Sequence, residues 1–291
     1  MAKSNKDVFN KGLGCKKQKQ DIRDHIYKAP SATLISLPKS INYKFYDSPI
    51  EDQGHLGSCT ANATTAVLEF LEIKNKLPKN KVLAFIKMLF IHIWRGILRG
   101  FISYSWTLNL IFVGALSRLF VYYNTRVIEG SVDYDAGAEI RDTIKALVDQ
   151  GVCPEKEWPY NIWMFKNPPA DYCYKHALDH QVEEYKALTT LEDMKGCLAS
   201  GYPFVFCFAV YDSFKNMKKD GIMTIPKPEE EMIGLHAVMA IGYDDTTKRF
   251  LIRNSWGRAW GNKGYFTMPY EFITDISYAC DFWTMTKAEG I

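Results

Sequence analysis

The chain has 291 residues, a formal net charge of +3, 47% hydrophobic residues and 24% charged ones. That is the make-up of a folded globular protein with room for one large lobe or two modest ones. No long basic run interleaved with aromatics occurs outside the N-terminal arm, so a nucleic-acid groove is not expected.

The arm itself, residues 1–36, is polar and lysine-rich. It reads either as a segment laid over the rest of the protein or as a disordered tail. It carries no apolar core of signal-peptide length, so a reducing, cytoplasmic setting is expected. The Asn62-Ala-Thr sequon agrees with that setting, because a glycan there would sit inside a helix beside Cys59.

After the loop Gln53-Gly-His-Leu-Gly-Ser, the small and apolar side chains Ala61, Ala63, Ala66, Val67, Phe70 and Leu71 recur at helical spacing. Cys59 therefore falls at a helix N-terminus. A very apolar segment follows, Val82 to Leu116, with Lys87, Arg95 and Arg99 as its only charges. Its polar residues Ser103, Ser105, Thr107 and Asn109 make a membrane-spanning helix or an interfacial helix less favoured than a buried insertion or translated non-coding sequence. A further helix is expected over Ala138 to Gln150, where Ile140, Ile144, Leu147 and Val148 form one stripe and Gly151 ends it.

The second half reads as strands at Pro203–Val210, His236–Tyr243, Lys248–Asn254 and Gly264–Pro269. A chain helical early and β-rich late predicts an α+β protein of two lobes, 37–185 and 186–291. Seven cysteines without C-x-x-C spacing predict neither a zinc site nor a complete disulfide framework, and leave at least one thiol free. Cys153 and Cys173 would pair only in an oxidising compartment.

The hairpin from His236 to Asn254, folded about residue 245, sets the imidazole nearly opposite the amide. An imidazole so held can take a proton from a thiol whose thiolate is favoured by a helix N-terminus. Gln53, six residues before Cys59, then offers its amide to a developing oxyanion together with the Cys59 backbone N–H. Cys59, His236, Asn254 and Gln53 thus describe acyl transfer with no metal or organic cofactor.

These residues, with Asn254-Ser-Trp-Gly, Trp260-Gly and Gly264-Tyr, resemble the papain and cathepsin family of cysteine peptidases. Leu37–Tyr43 is similar to the start of mature family members, and Trp158-Pro-Tyr to a recurring segment between the catalytic motifs. The resemblance implies a helical lobe and an antiparallel, β-barrel-like lobe with the active-site cleft between them. It implies Cys59 as nucleophile, His236 as general base and then acid, Asn254 as its orienter and Gln53 in the oxyanion hole. It further implies Trp256 as a shield over the His–Asn bond, and Asp135-Ala-Gly137 as a substrate wall.

Departures from the family pattern are Thr60, where a Trp is common, Leu56, where a disulfide cysteine is common, and Leu235 before His236. Residues 1–36 are short for an inhibitory propeptide, yet long enough for a plug in the cleft. The expected activity is a thiol endopeptidase acting on peptide or protein substrates as a monomer, without nucleic acid. The alternatives are a catalytically silent papain-like binding protein and a transpeptidase or transamidase using the same site.

Overall fold

The computed structural model describes residues 11–76, 115–215, 217 and 219–288. The first half contributes β1 (Cys15–Lys16), α1 (Ser31–Ile35), β2 (Ser40–Asn42), α2 (Cys59–Lys76), α3 (Arg118–Ile128), β3 (Ala138–Glu139) and α4 (Ile140–Asp149). Then follow α5 (Asp171–Ala177), β4 (Val182–Ala187), α6 (Leu191–Ala199), β5 (Phe204–Tyr211), β6 (Met232–Asp244), β7 (Arg249–Arg253), β8 (Tyr265–Pro269), α7 (Tyr270–Thr274) and β9 (Ala279–Ala288). The apolar segment 82–116 lies outside the described residues except for Ala115 and Leu116. Leu116 is buried, and its N–H donates to the Glu69 carboxylate at 2.9 Å.

Side-chain alternation along β5 and β6 sets the layering. Val205 and Cys207 of β5, with Ala237, Met239 and Ile241 of β6, join the core that contains α2 and α4. Their sequence neighbours Phe204, Phe206 and Phe208, with Val238 and Ala240, turn to a second core around Trp256, Phe266 and Met268. Both faces of these strands are covered, which is why they read as continuous apolar runs. The seven-stranded sheet has the order β4-β9-β5-β6-β7-β8, with β2 added on β6. Its pairings are antiparallel. The helices α2, α3 and α4 precede most of its strands and one of its faces packs on α2, so the α+β expectation holds.

Helix α2 begins at Cys59 as the pattern predicts, and every residue from Cys59 to Ile73 is buried. Asn62 of the sequon is buried within it, its Nδ2 donating to the Ser58 carbonyl at 2.9 Å and to Ser58 Oγ at 3.1 Å. The helix expected from Ala138 starts two residues later, at Ile140. The arm causes that difference: Ala138 N–H donates to Gly14 O at 2.7 Å, so Ala138 and Glu139 pair in parallel with Cys15 and Lys16 instead.

The hairpin needs a correction. Its turn spans 245–248, between the paired Asp244 and Arg249, and the register shifts between Ala240 and Gly242. His236 is therefore not opposite Asn254 in the ladder. The bulge adds a residue to β6, and the two side chains meet beyond the last paired residue of β7.

Of the two readings of the N-terminal residues, the described part, 11–36, is laid over the body. Its lysines meet body carboxylates, Lys11 to Asp52 and Lys16 to Glu129 at 2.6 Å each, and Lys28 to Asp193 at 3.2 Å. The Lys11–Asp52 pair, open to water, contributes little, about 0–1 kcal/mol. The backbone bonds Gly12 N to Gly54 O (3.0 Å) and Tyr27 N to Ala187 O (2.7 Å) fix the register.

Arg253, the last residue of β7, anchors the strand end that carries the site. Its side chain and that of Asp47 are both buried and form an ion pair, with further donation to the Ser48 carbonyl (2.8 Å) and the Pro49 carbonyl (2.7 Å). Asp47→Ala leaves a buried guanidinium without its counter-charge, and urea unfolding is expected to show a loss of about 3–5 kcal/mol. A midpoint unchanged from wild type would contradict that anchoring role.

Candidate active site

Three elements converge on Cys59. The loop before it is pinned from below: Gly57 N–H donates to the Asp135 carboxylate at 3.0 and 3.1 Å, and Tyr122 hydroxyl donates to the same carboxylate. Tyr122 hydroxyl also accepts from Gly137 N at 3.1 Å. One carboxylate and one phenol thus tie the Cys59 loop to the wall at Gly137. From the side, Tyr160 hydroxyl donates to Gln53 O at 3.0 Å and shares a 2.5 Å contact with Ser58 Oγ. Tyr122 and Tyr160 escaped sequence reasoning as site supports, although Tyr160 lies in the Trp-Pro-Tyr segment.

Gln53 is fully buried, with its amide oriented at both ends. Ser255 Oγ donates to Oε1 at 2.6 Å, while Nε2 donates to Leu56 O at 2.9 Å and to Gly12 O at 3.0 Å. A carbonyl of the arm therefore sits on the donor that sequence reasoning assigned to an oxyanion.

His236 projects from β6 and has no solvent exposure. Its Nε2 lies 2.8 Å from Asn254 Oδ1, which also accepts from Ser255 N at 2.8 Å. Both contacts to Oδ1 are with nitrogens, so the oxygen faces the ring and the ring N–H donates to it. The indole of Trp256 lies across the imidazole, centroids 4.6 Å apart and planes 32° from parallel. Trp256 is only 2% exposed, so it closes the back of the ring rather than lining an open wall.

The remaining imidazole nitrogen, Nδ1, is buried without a hydrogen-bond partner among the described residues. Among the described residues no hydrogen bond joins the Cys59 thiol to the His236 imidazole. The backbone N–H groups of Ala237, the residue after His236, and of Gly14, in the arm, favour the Cys59 thiolate, as do those of Thr60 and of Cys59 itself. Thr60, the residue in place of the family's Trp, turns its hydroxyl to accept from Thr143 Oγ1 at 3.0 Å.

Gly12 and Gly14 let the arm lie there. A Cβ on Gly14 would stand 1.9 Å from Gly57 O, and one on Gly12 would stand 2.2 Å from Leu56 O. Gly137, at φ +69°, leaves the matching gap on the wall, since its Cβ would meet Gly14 O at 2.2 Å. The signal for this contact was the Gly-Leu-Gly-Cys run at 12–15, which sequence reasoning left unused.

Electrostatics follow from the covering. Burial pushes the Cys59 thiol up to about 11, against the backbone N–H donors that favour its thiolate. Burial pushes His236 down to about 4, against its bond to Asn254. A helix N-terminus favours an anion by about 0.3–1 kcal/mol at a surface. The rise at Cys59 corresponds to on the order of 3 kcal/mol in the opposite direction. The thiolate expected from the helix position is therefore not the form favoured under the arm, and both groups are neutral near pH 7.

Among the remaining thiols, Cys153 and Cys173 are free and buried, with their sulfurs and a Glu157 carboxylate oxygen within 4.8 Å of one another.

Comparison with known proteins matches residues 135–282 to the papain family cysteine protease model. A peptidase C1-like protein of Acanthamoeba polyphaga mimivirus is 34% identical, over 96% of this chain and 88% of that protein. Among solved structures, xylellain, a cysteine protease from Xylella fastidiosa, superposes with a TM-score of 0.77 at 36% identity, covering 96% of this chain and 97% of that one. The procathepsin B of Trypanosoma congolense shares the fold, with a TM-score of 0.63 at 16% identity, over 96% of this chain and 87% of that one.

Proposed function

The chain belongs to the papain family of cysteine proteases, and on that premise we propose that Cys59, His236, Asn254 and Gln53 hydrolyse peptide bonds within polypeptide chains through an acyl-enzyme. One observation carries the assignment: a fully buried imidazole bonded to Asn254 through Nε2 keeps Nδ1 without a partner among the described residues, while the N–H of the next residue, Ala237, is near enough to the Cys59 sulfur to favour its thiolate. A buried nitrogen left unpaired costs about 1–3 kcal/mol, a cost that a functional site retains for a partner it meets during reaction.

In the proposed cycle Nδ1 takes the thiol proton, and the thiolate adds to the scissile carbonyl. The oxygen that becomes negative is held by Gln53 Nε2 and the Cys59 N–H. His236 returns the proton to the leaving amine, and then activates the water that releases the acyl group. Asn254 keeps the ring in one tautomer and orientation throughout, the part an orienting carboxylate plays in serine proteases. The bond from Gln53 Nε2 to Gly12 O supports this role, since the donor already meets a carbonyl oxygen there.

Internal cleavage is supported by the path of the arm, which enters beside Gly54, passes Cys59 at Gly14 and leaves along β3. A groove threaded on both sides of the sulfur accommodates a chain that continues in both directions. The arm adds its strand to β3 through main-chain bonds, the mode in which an extended peptide is held whatever its side chains. We therefore also assign residues 11–16 as a cover that keeps the cleft closed.

Gln53→Ala is the direct test of the oxyanion role. The variant is expected to lose about 10²–10³-fold in kcat on a peptide substrate, with KM little changed. A loss confined to KM would place Gln53 in substrate binding instead. A catalytically silent binding protein would show no Cys59-dependent hydrolysis with the arm displaced.

A further inference from the structure

We infer that Cys15, Cys207 and Cys280 form a thiol relay whose oxidation ties the arm covalently to the sheet, as a Cys15–Cys207 disulfide. This inference rests on the reading of the arm as a cover over Cys59.

Three observations place the thiols together. Cys207 and Cys280 are directly opposite in the antiparallel pair β5–β9. Cys15 is the first residue of β1, which packs on β6 beside β5, and is buried in the same core as Cys207, close enough that each thiol shifts the other's titration. Cys207 faces Cys280 across the ladder in turn, which makes a row from the arm to the start of β9. All three are free thiols.

The row has an entrance. Cys280 alone of the three is not fully buried, and it opens on a groove lined by Lys17, Gln18, Gln20, Asp281 and Trp283. The arm supplies one wall of that groove, held by Gln18 N to Asp281 Oδ2 (2.9 Å) and Trp283 Nε1 to Gln18 Oε1 (3.0 Å). A small disulfide such as oxidised glutathione fits the chemistry of this entrance, with a cation, two amides and a thiol at hand.

The sequence of bonds follows. Cys280, as thiolate, attacks the small disulfide R–S–S–R, forming Cys280–S–S–R and releasing one RSH. Cys207 gives up its proton and attacks the Cys280 sulfur, releasing the second RSH. Opposed cross-strand Cβ atoms stand about 4.5–5.5 Å apart. A disulfide has a mean Cβ separation of about 3.8 Å, so the Cys207–Cys280 bond is strained and exchangeable. Cys15 then attacks Cys207, and Cys280 leaves as a thiol. In sum, two cysteine thiols lose two protons and two electrons, and one R–S–S–R becomes two RSH.

All three thiols lie above the ordinary cysteine value, Cys15 (to about 12) and Cys207 chiefly through burial and Cys280 chiefly through its interaction with Cys207 and then burial, so thiolate is scarce and the relay is slow at neutral pH. Its rate is expected to rise about tenfold per pH unit over the neutral range.

The full chain, incubated with oxidised glutathione and then digested under non-reducing conditions, is expected to yield a Cys15–Cys207 linked peptide by mass spectrometry. Labelling of Cys59 by a thiol-directed epoxide should slow about tenfold or more, recover with dithiothreitol, and be indifferent to glutathione in Cys15→Ser. A product that stops at Cys280–glutathione or at Cys207–Cys280 overturns the relay, and so does a linked peptide with Cys59 labelling unchanged. The cover is tested separately, by labelling under reducing conditions with and without arm displacement. Equal rates there defeat the cover itself, whereas a faster rate without the linked peptide defeats only the relay.

Discussion

Cys59→Ser is expected to fold as the wild type does and to lose roughly 10⁴- to 10⁶-fold in kcat on a peptide substrate, measured with the arm displaced. The side chain differs by one atom and sits at the first position of α2 with no exposure, so packing changes little. The chemistry changes more. A thiol needs only a nearby imidazole to reach the thiolate, whereas an alcohol keeps its proton far above any value that His236 can match. The result separates a nucleophile from a buried structural cysteine, because a structural role would appear as lost stability with turnover preserved. Urea midpoints for both proteins, read beside the rates, make that distinction. Wild-type turnover in the variant would remove Cys59 from the reaction.

Gly14→Val should do the reverse and expose the site. With a Cβ at 1.9 Å from Gly57 O, no rotamer of valine fits between the arm and the loop. The neighbour it meets is backbone, so the arm must leave. A covered protein whose open state is populated at about 0.1–10% gains about 10- to 1,000-fold in Cys59 labelling once the arm is displaced. The rate of reaction with a thiol-directed epoxide, wild type against variant, is the measurement. Equal rates would mean that the arm covers nothing.

pH should act on the same equilibrium from both sides. Under the arm His236 is held to about 4, while in water it returns to the ordinary 6.5, so the open state takes up a proton between those values and the closed state does not. The arm's hold is therefore complete above about 6.5 and weakens as pH falls toward 4. Cys59 has the opposite sign. The open state, its thiol paired with His236 and below the ordinary value of about 9, gives up protons that the closed state keeps until near 11, so the hold weakens again as pH rises. The ratio of wild-type to Gly14→Val labelling rates cancels the intrinsic reactivity of the thiol. It should be smallest near neutral pH and rise on either side.

The strands were legible because β5 and β6 are apolar on both faces and are bounded by Pro203 and the turn at 245–248. Helix α2 was legible for a related reason: small residues at helical spacing follow a glycine loop. The proposed site residues Cys59, His236 and Asn254 could be nominated from the sequence alone, since Cys59 begins a helix and His236 and Asn254 lie at the two ends of one hairpin. What the sequence concealed was non-local. The register shift near Ile241 depends on how β6 is shared among β5, β7 and β2, and no local spacing encodes that. The neutral state of Cys59 and His236 depends on residues 12–15, more than forty positions before the cysteine, whose two glycines look like ordinary linker residues until Gly57 and Leu56 are found against them. Trp256 belongs to a recognisable motif, yet its burial behind the imidazole came from the packing of Phe214 and Trp260, which local pattern does not report.

The central claim is that Cys59 and His236 become a reactive pair once the arm leaves. The pH dependence of Cys59 alkylation by iodoacetamide in Gly14→Val tests it most directly. The rate should inflect well below the ordinary thiol value of about 9, and replacing His236 with alanine in the same background should return the inflection to that value. An inflection at or above 9 in both proteins would contradict the claim.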